Sequence, residues 1–439
     1  MQKVAVIALG CPKNTVEAEY LLGILNDKGY ILTNNAREAD IAVIHTCSFI
    51  QDARTESENC IKKILELKSE KNLKVYVSGC LPQLLKENFA DAFPGVDGFV
   101  GTGELPEVLR LMSGKNKPSG LFLKPGGLND SKFRILSSPL PTAYLKIAEG
   151  CNHSCSFCII PSLRGKYTSR TIASLADEAE TLSVSGVKEL IIIAQDTTSY
   201  GKDLYNRFSL DKLLAKLAKI KGLKFIRLMY AYPSSVTDGL LDVIKEYGNI
   251  CKYMDIPVQH ASKNVLARMK RPLNTVKIIE KISSRVPDIV LRTSLITGFP
   301  GETDADIKEL ERFIKSGYFQ YAGVFEYSGQ KEASSFKLKN RISPQKAKER
   351  KILIENAQYG VFKTKAAALK NKKIEFTAEN CKKAGALHIV SGRTFFQAPE
   401  IDGNIVIRSK KPVSPGKFYF AEITGNEGYD ITAKLCRQR

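Results

Sequence analysis

The chain has 439 residues, long enough to bury more than one sizeable core, so it needs no disulfide staples and a division into two to four domains is expected. Lys and Arg number 66 against 46 Asp and Glu, a formal charge of +20 that favours a polyanionic partner such as nucleic acid or a ribonucleoprotein; the plainer alternative is a basic solvated surface. No window reaches the roughly 20 apolar residues of a membrane helix and no cleavage-like site follows the opening "MQKVAVIALG", so a cytoplasmic protein without a membrane partner is expected, with its cysteines reduced.

Residues 1–115 alternate short β-rich runs, "KVAVIAL", "ADIAVIHT" and "KVYVSG", with amphipathic stretches such as "TVEAEYLLGILNDKG" and "CIKKILELKSE". This is the pattern of an α/β domain with a doubly wound parallel sheet. Residues 116–141 loosen into Gly, Pro, Ser and Asn and read as a linker. From 142 to 370 six further strands, "AYLKIAE", "ELIIIAQ", "LKFIRLMYAY", "KYMDIPV", "IVLRTSLIT" and "YAGVFEY", alternate with helices, which predicts a partial parallel barrel whose working face is the carboxyl end of the strands. A long charged helical pattern leads out of it. Residues 373–439 then break into short β-type runs divided by Gly and Pro, as in a small antiparallel barrel.

Ten cysteines are present, and three of them, Cys151, Cys155 and Cys158, crowd into "EGCNHSCSFCIIPSLRG" just after the first barrel strand. A structural zinc site wants four ligands, so three thiols with no fourth nearby fit better as three corners of a 4Fe-4S cluster whose last iron stays open to a small molecule. Zinc or incidental core thiols are the alternatives. The CxxxCxxC spacing, with Phe157 before the last cysteine, resembles the radical S-adenosylmethionine superfamily. The resemblance implies that these cysteines ligate a cluster, and that S-adenosylmethionine chelates the open iron and is cleaved to a radical. "ITGFPGET" follows the fifth strand; it is either an ordinary Gly-rich turn or, by the same resemblance, the adenosine-side motif, with Thr297, Gly298, Gly301 and Glu302 as cofactor contacts. Gln195 is a further cofactor candidate at the end of the second strand, beside Asp196.

Cys11, Cys47 and Cys80 each sit just past a strand of the first domain, so a parallel sheet delivers them to one edge. They read as ligands of a second cluster, again with one open iron. Cys60, Cys251, Cys381 and Cys436 share no such pattern, and packing is their default.

Two three-cysteine sets, a linker and a small terminal β-domain resemble the methylthiotransferase family over nearly the whole chain. That resemblance implies that the terminal domain is TRAM-like, that the first domain holds an auxiliary cluster carrying the sulfur, and that one S-adenosylmethionine is the methyl donor and another the radical source. "GCPKN" from Gly10, "AQDTTSYG" from Ala194 and "DIPVQHAS" from Asp255 look like the RimO-type branch, which modifies the β-carbon of an aspartate in ribosomal protein S-twelve. The branch acting on tRNA adenosine, MiaB-type, reads closer to "GCQMN", "QNVNSY" and "PVQSGS" and is the alternative. A non-enzymatic redox-sensing protein of the ribosome is the third reading. Where the family often has Asp-Ser-Glu, this chain has Glu17, Ala18 and Glu19. The implied partners are the S-twelve protein or the small ribosomal subunit, an electron donor and a sulfur source. His260, Arg268, Lys270 and Arg271 are open between substrate contact and structural roles.

Overall fold

A computed structural model describes residues 1–103, 105–113 and 134–436. The first sheet contains β1 (Lys3–Ala8), β2 (Ile31–Leu32), β3 (Ile41–Thr46), β4 (Lys74–Gly79) and β5 (Gly98–Val100), all parallel, in the order β2-β1-β3-β4-β5. The short β2 and β5 are too brief to show in the hydrophobic pattern. Strand order reverses between β1 and β3, and in such sheets ligand crevices open at that reversal, beyond the carboxyl ends of the strands. The helix Pro12–Asp27 leaves β1 there, with Pro12 in its first turn where a missing N–H costs nothing.

The central sheet has the six expected parallel strands, β6 (Thr142–Lys146), β9 (Glu189–Ile193), β10 (Phe225–Leu228), β11 (Ile250–Asp255), β12 (Val290–Thr297) and β13 (Phe319–Glu326), each beside the next. A small antiparallel pair, β7 (Ala148–Glu149) and β8 (Thr168–Ser169), flanks the CxxxCxxC loop. Along β9, Leu190 and Ile192 pack outward under the helices, while Ile191 and Ile193 point inward. The inward residues meet Val16 and Tyr20 of the first domain and Ala398 of the last, so one apolar seam joins all three units. The first domain thus covers the inner side of the open barrel.

Helix Pro344–Ala367 packs along β13 and leads to β14 (Lys373–Ala384), β15 (Leu387–Thr394), β16 (Ile405–Ser409), β17 (Phe418–Glu427) and β18 (Asp430–Leu435), a closed barrel. Arg227 of β10 and Arg393 of β15 converge on the fully buried Glu189 at distances of 2.8 and 2.5 Å, fixing this barrel to the central sheet. Most of the expected linker, residues 116–133, lies outside the described residues. Its last part is anchored: Arg134 reaches Glu19 and Glu178 at 3.3 Å each, and Ser137 N–H donates to Glu19 at 2.8 Å. Among the described residues no helix is long and apolar enough to cross a membrane.

Candidate active site

Cys11, Cys47 and Cys80 lie beyond the carboxyl ends of β1, β3 and β4, so the switch point brings them together. Gly10 makes the approach possible: its φ is +86°, and a Cβ there would sit 2.7 Å from Cys47 Sγ. Asn14 Nδ2 ties the two loops by donating to the carbonyls of Leu9 (2.8 Å) and Thr46 (3.0 Å). A hydrogen bond between the Cys11 and Cys47 thiols holds Cys11 well below the ordinary thiol range and pushes Cys47 up. Burial pushes Cys80 up as well, against the pull of Arg164.

The second set is wrapped by the loop after β7. Cys151 N–H donates to the Gly165 carbonyl (3.1 Å), and Cys158 N–H to that of Cys155 (3.1 Å). The sulfurs receive donors in turn: His153 N–H to Cys151 Sγ at 3.5 Å, Ile160 N–H to Cys158 Sγ at 3.4 Å, and Arg271 Nη1 to Cys155 Sγ at 3.8 Å. Burial raises the bare thiols, Cys151 to about 11 and Cys158 to about 12. Six free thiols in two sets, with donors aimed at all three sulfurs of one and at Cys80 of the other, fit thiolates bound to iron. Among the described residues no three His, Cys, Asp or Glu side chains converge as ligands of one metal ion must. Each cysteine of a cubane binds its own iron, so a wider spacing is what a cluster needs.

A buried ion network lies between the two sets. Arg164 donates to Glu17 Oε1 (2.5 Å), Asn14 Oδ1 (2.7 Å) and Glu149 Oε2 (3.4 Å), and hydrogen-bonds to Cys80. Lys146 Nζ donates to Glu17 Oε1 (2.6 Å) and Glu149 Oε2 (2.8 Å); His45 Nε2 lies 2.8 Å from Glu17 Oε2. Burial works to raise the Glu17 carboxyl, and Arg164, Lys146 and His45 overcome it, leaving it well below the usual range. Cys80 also packs directly against Ile159 and Leu163 of the CxxxCxxC region. The two loops therefore border one another.

Gln195 Nε2 donates to Glu149 Oε1 (2.5 Å), and its Oε1 is buried with no hydrogen-bond partner among the described residues, an acceptor open to a ligand's donor. Asp196 has a positioning geometry: it accepts from Thr198 and Ser199 and contacts His153 Nε2 at 2.6 Å, while the His153 ring stacks on Tyr232 at 3.6 Å. Arg271 covers the same Tyr232 at 4.1 Å. In the Gly-rich turn, Glu302 Oε1 accepts from Gly298 N–H (2.9 Å) and Arg350 (2.8 Å), while Oε2 has no hydrogen bond among the described residues and lies 3.6 Å from His260 Nε2. Thr297 is buried with Oγ1 3.4 Å from the Ala347 carbonyl. Gly301, at φ +83°, lies against the Arg268 guanidinium, 2.6 Å from where a Cβ would be. Glu302 thus shapes this turn as much as it offers an oxygen to it. A cavity of about 760 Å³ lined by Lys68, Lys74, Tyr76 and Asp97 sits at the opposite edge of the first sheet, away from every clustered cysteine.

Residues 3–101 match Uncharacterized protein family UPF0004, residues 145–314 the Radical SAM superfamily and residues 373–436 the TRAM domain. A "Ribosomal protein uS12 methylthiotransferase RimO" of Endomicrobium trichonymphae is 62% identical over 432 residues, covering 98% of each chain. One of the same name from Caldanaerobacter subterraneus is 41% identical over 440 residues, 99% of this chain and 100% of the relative. The chain belongs to the RimO methylthiotransferase family. Among solved structures, the radical S-adenosylmethionine methyltransferase TsrM of Kitasatospora setae shares the fold, with a TM-score of 0.57 at 13% identity, covering 74% of this chain and 73% of that one.

Three charged residues of this junction carry no signal of their own in the sequence. Arg164, Lys146 and Glu149 flank the cysteine loop as ordinary charges, and all three are buried. Glu17 stands where the chain departs from the family's Asp-Ser-Glu, and the structure makes it the hub of the network.

Proposed function

We propose that this chain adds a methylthio group to the β-carbon of an aspartate in ribosomal protein uS12, the S-twelve protein. The observation that carries the reading is the joining of two three-cysteine loops through one buried ion network, in a chain 62% identical to a RimO relative over its length. Cys151, Cys155 and Cys158 would hold one 4Fe-4S cluster and Cys11, Cys47 and Cys80 another; together with S-adenosylmethionine these supply an electron, hydrogen abstraction from an unactivated carbon, the methyl group and the sulfur.

The chain's own part is positional. Arg164 and Lys146 pair with both Glu17 and Glu149 and keep the loops in register, because separating them would strand buried carboxylates. Asp196 fixes the His153 ring against Tyr232 beside Cys155. Gln195 Oε1 and the backbone of the turn at 298–301 are the groups available to orient S-adenosylmethionine. Cys80, Ile159, Leu163 and Ala333 form an apolar wall that keeps water from the junction. An electron donor, a sulfur source and a cytoplasmic setting belong to the same proposal.

Mass spectrometry of a deletion strain tests it. The expected result is loss of a methylthio mass from uS12 with tRNA nucleosides unchanged. Loss from tRNA instead would transfer the chain to the adenosine-modifying reading.

A further inference from the structure

Lys13, in the first turn of helix Pro12–Asp27 two residues past Cys11, is a cation of this junction with no anion of its own; Arg271 likewise has no acidic partner but is committed to Cys155 Sγ and the Pro257 carbonyl. Its ammonium rests 3.5 Å above the centre of the Tyr230 ring, and among the described residues it makes no hydrogen bond or ion pair. Cys11, Glu149 and Asp255 are its charged or ionisable neighbours together with Arg164. The two carboxylates are already engaged elsewhere: Glu149 by Lys146 and Gln195, at 2.8 and 2.5 Å, and Asp255 by Arg292 at 2.8 Å. A ring face steadies an ammonium without supplying a counter-anion; burial lowers the Lys13 ammonium from the usual lysine range, and Cys11 works to raise it.

The platform under it is held in an unfavourable conformation. Tyr230 lies just past β10, on the working face of the central sheet, with φ at +59°, a region that bulky side chains avoid. Two bonds hold it there: Tyr230 N–H donates to Asp255 Oδ2 (3.2 Å), and its carbonyl accepts from Thr197 N–H (3.1 Å). The ring is thereby placed to carry Lys13 between the cysteine loop of the first domain and the mouth of the central barrel.

We infer that Lys13 is a specificity residue that receives the carboxylate of the substrate aspartate, an assignment that rests on the proposed uS12 reaction. The aspartate brings one carboxylate adjacent to the carbon that reacts, and Lys13 is a cation not already tied to a sulfur, a carbonyl or a carboxylate.

The test compares binding of uS12 and of a uS12 in which the target aspartate is asparagine, using iron-reconstituted protein and its Lys13→Met, Lys13→Gln and Lys13→Arg variants, with iron content measured on each. Wild type is expected to prefer the aspartate form by about 10-fold or more, as a charge-assisted hydrogen bond gives. The Met and Gln variants should bind both forms alike with iron content unchanged, and Arg should restore part of the preference. Full preference in the Met or Gln variant overturns the inference. So does loss of iron from both, which would make Lys13 a support of the cysteine loop. A methylthio mass on uS12 after turnover by wild type, followed in parallel, separates these results from failure of the proposed reaction itself.

Discussion

Arg164 is 3% exposed and touches Glu17, Asn14, Glu149 and Cys80, groups drawn from both sides of the junction between the first domain and the central barrel. Replacing it with Met would leave Lys146 as the cation shared by two buried carboxylates, with His45 beside Glu17 and Gln195 beside Glu149. The expected cost is about 3–5 kcal/mol by urea unfolding of the iron-reconstituted protein, the usual penalty for stranding a buried charge. Arg164→Lys should recover only part, since an ammonium cannot fork to Glu17 and Asn14 at once. Unchanged stability in Arg164→Met would show that the network does not hold the domains together. At this scale the six clustered cysteines were legible, three from their crowding and three from their shared place after strands. Arg164 and Glu17 were not, because nothing in "PSLRGK" or "TVEAEY" distinguishes a charge that another domain will bury.

The strands of the central sheet were legible as elements because short β-rich runs alternate with helical patterns, most plainly at β9, where four of five residues are apolar or β-branched and all are buried. How the terminal barrel attaches to them was not, since its decisive contacts join residues some 200 positions apart, such as Glu189 with Arg393. Burial works to raise the Glu189 carboxyl, and Arg393 and Arg227 overcome it and hold it at about 2, below its ordinary 4.5. The sign follows from proton binding. With the folded carboxyl depressed, the unfolded chain takes up the proton first, so this contribution is complete above about 4.5 and is lost as pH falls toward about 2. Unfolding followed from pH 7 to pH 3, roughly the span of that titration, should show wild type losing stability faster than Glu189→Gln. At neutral pH the variant should be weaker by about 3–5 kcal/mol, because two buried guanidinium groups lose their shared partner. Parallel pH curves for the two proteins would contradict this account of the joint.

Taken whole, the molecule carries a formal charge of +20 and is proposed to act on a protein of the ribosome, a polyanionic particle. Encounter with the intact particle should therefore weaken with salt. Raising ionic strength from about 50 to about 200 mM is expected to cut kcat/KM on small ribosomal subunits by about 10-fold or more, with a smaller effect on free uS12. Equal salt dependence for the two substrates would mean that the basic surface plays no part in docking on ribosomal RNA. The division of labour among the three units follows from the same picture: the first sheet and the central barrel each deliver three thiols to a common junction, and the terminal barrel clamps the opposite end of the central strands.

Iron content of anaerobically reconstituted protein, read together with its Mössbauer spectrum, is the sharpest check on that two-cluster junction. Wild type should hold about eight irons per chain in two cubanes, each with one iron lacking a cysteine ligand, and the triple variant Cys11→Ser, Cys47→Ser, Cys80→Ser about four. Four irons in wild type and four in the triple variant would leave a single cluster, and the account of a two-cluster site would be wrong.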